Sequence, residues 1–146
     1  MNAKTLQQYL DLWADACPTR DLGKLDNLTA SDIRFIDPIN DVTGRALLKR
    51  LFADAAQSVD QARVEIDAIA WVTEERAFVQ WRYSGRLRRL GNRVWSAEGM
   101  SDIRFRDQLI CYHRDYWDLA GGLFEYFPWI GGLFRRLRHR LRLRPD

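Results

Sequence analysis

The stretch VEIDAIAWVTEERAFVQWRYSGRLRRLGNRVWSAEGMSDIRFRDQLICYHRDYWD, residues 64–118, decides the fold. Its apolar residues recur with a period of two, the pattern of strands whose side chains point alternately to opposite faces. Val64, Ile66, Ala68, Ala70 and Val72 alternate with polar or mixed residues, as do Val79, Trp81 and Tyr83. Trp95, Ala97, Gly99, Ser101, Ile103 and Phe105 alternate with Ser96, Glu98, Asp102 and Arg104. The connectors near Glu74 and Gly91 are short enough for hairpins, and Arg106-Asp107-Gln108 turns the chain into a further strand, Leu109 to Trp117. Strands joined in this way predict a meander and a mostly antiparallel sheet.

Upstream the period is helical. Leu6, Tyr9, Leu10, Trp13 and Ala16 share one face of a helix over Lys4 to Cys17, closed by Pro18. Asp21 is a cap for a short second helix carrying Leu22, Leu25 and Leu28, and a brief strand, Ile33 to Ile36, stops at Asp37-Pro38. After a turn-like INDVTG (39–44), Leu47, Leu48, Leu51, Phe52 and Ala55 mark a third helix over Arg45 to Ser58. Helices followed by hairpin-linked strands predict an α+β domain with helices gathered on one face of a curved sheet.

Downstream of the strands the chain turns basic. From Trp129 onward six arginines face a single acid, Asp146, so this segment carries +5 and residues 1–128 carry −2 of the net +3. A short helix, a break at Pro128 and a helix from about Trp129 to Leu143 are expected, with Leu133, Phe134, Leu137 and Leu141 as its apolar stripe. Arg135, Arg136, Arg138, Arg140 and Arg142 cover much of the rest. Such a helix suits a lid or packing element first, contact with an anionic membrane next. Nucleic acid is disfavoured, because no recognised motif and no further basic surface accompany the tail.

The 146 residues, 47% hydrophobic, suffice for one core but not for two ordinary domains. No apolar run approaches the roughly 18 residues of a membrane span, and the N-terminus lacks a signal peptide's apolar stretch. The expectation is a cytoplasmic protein, peripheral at the inner membrane surface if the tail binds lipid. Cys17 and Cys111 lack metal-ligand spacing, and two histidines supply no ligand set, so neither a metal nor another cofactor is expected. No phosphate loop, nucleophile elbow or nucleotide fingerprint occurs.

The element order, and the segments SDIRFIDP (31–38) with Gly44 beyond it, GMSDIRFRDQLI (99–110) and HRDYWD (113–118), resemble the nuclear transport factor 2-like superfamily, in particular its SnoaL-like members. The resemblance spans Lys4 to about Asp118. It implies a cone-shaped domain over residues 1–118, residues 119–146 forming a basic helical extension of that domain, and a homodimer through the open sheet face. It also implies a cavity for a small apolar or polycyclic molecule. In the related ketosteroid isomerases the Asp-Pro aspartate is a proton-shuttling base, which here matches Asp37. Tyr9 falls near the family's oxyanion-hole tyrosine. The place of the second oxyanion donor falls on Ser101, with Asp102 on the opposite face. On the residues alone, His113 and Asp115 lie two apart on a strand and hence on one face, an imidazole and a carboxylate suited to orienting water. Tyr112, Arg114 and Tyr116 occupy the other face, and Tyr116 is a candidate substrate contact should that face line the cavity. Trp13, Trp81 and Trp95 occupy inward positions that shape an aromatic pocket. The reaction classes implied are cofactor-free isomerisation or hydrolysis; the alternative is a non-catalytic ligand-binding or membrane-surface module.

Overall fold

Leu6, Tyr9, Leu10 and Leu12 bury one side of helix α1, Asn2–Ala14, while Gln7, Gln8 and Asp11 stay in solvent. The computed structural model describes residues 2–15 and 17–143; Ala16, assigned above to the first helix, lies outside them. Asp21 caps a short 3-10 turn, Leu22–Lys24, by accepting from the Gly23 N–H, and α2, Leu25–Leu28, follows directly. Helix α3, Arg45–Ser58, buries Leu48, Phe52 and Ala56, one residue every turn. Leu47 and Ala55, expected on that stripe, face solvent. The four-residue repeat rotates the buried face away from them.

Six strands form one sheet in the order β2-β1-β6-β5-β4-β3. β1 is Thr29–Ile36, β2 Asp41–Thr43, β3 Val59–Thr73, β4 Arg76–Leu87, β5 Arg93–Arg106 and β6 Leu109–Trp117. β3 to β6 are the expected antiparallel meander. β1 lies parallel to β6, and β2, inside the segment read as a turn, pairs antiparallel with β1. This is the α+β cone fold: α1 and α3 pack on the inner face of the curved sheet, around a core that includes Tyr9, Ile33, Phe35, Leu48, Phe52 and Ile103.

Strand β3 departs from simple alternation. In β3 the register shifts between Ile66 and Ala68, which oppose Trp81 and Gln80. One extra residue reverses the two faces. Beyond the bulge Ile69 and Trp71 sit opposite the buried Val79 and Ala77, and the Trp71 ring stacks on Phe105 at 5.7 Å. Ala68, Ala70 and Val72, expected to continue the inward row, fall instead on the opposite face, and this end of β3 is exposed on both faces, Ile69 and Trp71 included.

After β6, Asp118 caps α4, Leu119–Gly122, by accepting from the Gly121 N–H. A 3-10 turn, Phe124–Tyr126, leads to α5, Ile130–Leu141. Trp95 Nε1–H donates to the Gly122 carbonyl, which ties this segment to β5. No described helix is long and apolar enough to cross a membrane.

Candidate functional site: a buried tyrosine–histidine–aspartate relay

β6 places His113 and Asp115 on the inner face because they are two residues apart, and α1 lays Tyr9 across them. The Tyr9 hydroxyl lies 2.8 Å from His113 Nδ1, and His113 Nε2 lies 2.8 Å from Asp115 Oδ1. A carboxylate only accepts, so Asp115 assigns the imidazole proton to Nε2 and leaves Nδ1 to accept from the phenol. From the other side Trp81 Nε1–H donates to Ser101 Oγ at 2.9 Å, and the Ser101 hydroxyl donates to Asp115 Oδ1 at 2.5 Å. Two chains of donors, one from Tyr9 through His113 and one from Trp81 through Ser101, thus converge on one carboxylate.

Water is kept out of this relay. Tyr9 and His113 are 0% exposed, and Asp115 is 8% exposed. The rings of Phe35, Trp13 and Tyr9 stand edge-on to the imidazole at 4.8, 5.8 and 5.6 Å. Trp13, only partly buried, meets Trp81 at 5.6 Å and is the relay's outermost ring. Burial, and then the negative charge of Asp115, push the Tyr9 phenol well above its ordinary pKa. The phenol is held as a neutral donor.

The candidate residues thus divide. Tyr9, Trp13, Trp81, Ser101, His113 and Asp115 come together. Trp95 lies in an adjoining aromatic group with Tyr83 and Trp117, at 4.9 and 6.3 Å. Tyr116 is 49% exposed on the opposite face, under the Arg114 guanidinium. Asp37 is in the turn after β1, where its Oδ1 accepts from the backbone N–H groups of Ile39 and Asn40 and both oxygens accept from the Asn40 amide. Asp102 points outward as its register requires, pinned by Arg76 and Arg104. Phe35 and Phe52, overlooked as site residues, wall the relay. Their places on a strand alternation and a helix stripe were visible, but nothing local links either ring to His113.

A depression of about 640 Å³ lined by Asn2, Ala3, Trp71, Glu74 and Gln108 shares no residue with the relay. Among the described residues no group of three His, Cys, Asp or Glu side chains is placed to hold a metal ion.

Solved structures share this architecture. A protein from Jannaschia sp. CCS1, for which SnoaL-like polyketide cyclase activity has been proposed, is 16% identical with a TM-score of 0.70, over 82% of this chain and 87% of its own. TsrD from Streptomyces laurentii is 21% identical with a TM-score of 0.68, over 84% and 94%. AclR from Streptomyces galilaeus, proposed to be a hydroxylase, is 17% identical with a TM-score of 0.64 over 99% and 100%. No functionally curated protein matches the chain. These identities speak for the fold alone. A model of the SnoaL-like domain matches residues 6–113, from α1 through the relay histidine, and the chain belongs to that family.

Proposed function

We propose that this protein performs cofactor-free acid/base chemistry on a small apolar or polycyclic substrate, an isomerisation or a hydrolysis, with Tyr9, His113 and Asp115 as the reacting set. The relay carries the reading: a buried phenol whose proton can pass to an imidazole that is itself backed by a carboxylate. As a base, Tyr9 passes its own proton to His113 Nδ1 and takes one from an activated carbon or water, while Asp115 stabilises the imidazolium that results. The reverse transfer, from His113 to Tyr9 and from Tyr9 to the product, restores the starting state. Ser101 and Trp81 hold the carboxylate in place. Substrate enters by displacing Trp13. Asp37, the base by family resemblance, here has the role of forming its turn.

Deuterium exchange at the α-carbon of polycyclic ketones, followed in heavy water by mass spectrometry, tests this reading. Exchange should be accelerated by the protein, reduced about a hundredfold or more by His113→Gln, and unaffected by Asp37→Asn. Loss of exchange in Asp37→Asn with retention in His113→Gln would return the base to Asp37.

The near-complete burial of the relay favours a second reading, a non-catalytic binder in which the network fixes the shape of an aromatic pocket. Native mass spectrometry of protein from its own host distinguishes the two. A retained apolar compound that is neither exchanged nor cleaved supports the binder.

A further inference from the structure

α5 docks on its neighbours by an unexpected side. Gly131 is buried against the Glu125 backbone, where an added Cβ would lie within 2.2 Å of the carbonyl oxygen. Beside it Phe134 packs on Phe124 at 5.6 Å, Arg138 pairs with the Glu125 carboxylate, and Arg135 Nη1 donates to the Glu125 carbonyl. A glycine, an ion pair and one phenyl ring anchor the dock, and the leucines stay largely in solvent. Ile130, Leu133, Leu137 and Leu141 are exposed by 49, 59, 45 and 85%. At helical spacing these four span an arc of roughly 80°, bordered by Arg140 on one side and by the docked Phe134 and then Arg138 on the other. Trp129 at the entry and Leu143 at the exit are 93 and 90% exposed.

From this orientation we infer that α5 is a membrane-surface anchor, its leucine stripe seated in the acyl boundary of an anionic bilayer. The charges select that occupant. Arg136, Arg140 and Arg142 have no acidic partner among the ion pairs of the described residues, and they stand on a segment that carries +5. Arginines beside an apolar arc can extend to lipid phosphates while their stems lie along the hydrocarbon. The exposed indole of Trp129 suits the same interface. The anchor is independent of the relay chemistry, since α5 shares no residue with it.

Flotation of the full chain with phosphatidylcholine vesicles, with and without phosphatidylglycerol, at about 0.1 M salt tests the inference. Partitioning should be about tenfold or more stronger on the anionic vesicles and should fall with salt. Leu133→Gln with Leu137→Gln, both at exposed positions, should weaken it by a further factor of about ten while near-ultraviolet circular dichroism stays unchanged. Arg136→Glu with Arg140→Glu should abolish the preference for anionic lipid. Absence of that preference overturns the anchor, and so does binding indifferent to the leucine substitutions. If the leucine variant instead turns a dimer into a monomer and vesicles bind neither form, the stripe belongs to a second copy of the chain. If duplex DNA binds more tightly than vesicles and the leucine variant keeps that binding, the tail serves nucleic acid.

Discussion

His113 is the residue on which most others in the site depend, because both of its ring nitrogens are spent on buried partners. His113→Ala leaves the Tyr9 hydroxyl and the Asp115 carboxylate buried without that partner and should cost about 3–5 kcal/mol in urea unfolding. Tyr9→Phe removes one donor and should cost about 1–3 kcal/mol. Tyr9→Phe and Ser101→Ala do not touch, yet both act on Asp115. Their double-mutant cycle should show a coupling of about 0.5 kcal/mol or more, whereas strict additivity would show that the relay does not act as a unit. The raised phenol pKa adds a pH signature. Its contribution to stability is whole below the unfolded phenol's value of about 10 and is lost as pH rises through the higher folded value. The unfolding midpoint should drop in strong alkali, less steeply in Tyr9→Phe. Much of this site was legible, since a spacing of two puts His113 and Asp115 on one face and a helical stripe holds Tyr9 and Trp13. The hydrogen bond from Tyr9 spans 104 residues of chain, and no periodicity can report it.

At the scale of elements, strands and helices were placed by period, and the errors arose where period fails. β2 has three residues, too few to show an alternation. The bulge in β3 inverts the faces midway, so one continuous row of apolar residues was read where the chain makes two half-rows. On the outer face, β4 and β5 are pinned by Arg76 and Arg104 on Asp102. Burial works to raise that carboxyl, but hydrogen bonds from Arg104 and Arg76 outweigh it and hold the pKa below the ordinary carboxylate value. The resulting stability is present above the unfolded value of about 3.9 and lost as pH falls through the depressed one. Asp102→Asn should therefore flatten the acid limb of an unfolding titration below about pH 4. For α5, Gly131→Ala forces a methyl into the Glu125 backbone. It should release the helix, seen as faster amide exchange over residues 130–141, at a cost of about 1–3 kcal/mol to docking and little change in the global transition.

For the whole molecule, the C-terminal segment covers part of the sheet's inner face at the end away from β2. Trp95 donates to the Gly122 carbonyl, and a Cβ on Gly122 would meet the Trp117 ring at 3.3 Å. Deletion from Leu119 onward uncovers both indoles and should lower stability by about 2–4 kcal/mol, with increased binding of a hydrophobic dye. An unchanged melting temperature would mean that the first 118 residues stand alone. The sequence by itself determined the α+β class, the meander, the resemblance to SnoaL-like proteins, and the helix and strand positions of Tyr9, Ser101, His113 and Asp115, with His113 and Asp115 on one face of their strand. These rest on local periodicity and short motifs, which neighbouring residues encode. Only the tertiary structure decided that the four join in one hydrogen-bonded relay, that Asp37 spends its carboxylate on its own turn, and that α5 turns its leucines outward. Each of those depends on which distant groups compete for the same lone pairs or the same surface, and that competition is settled only when the chain has folded.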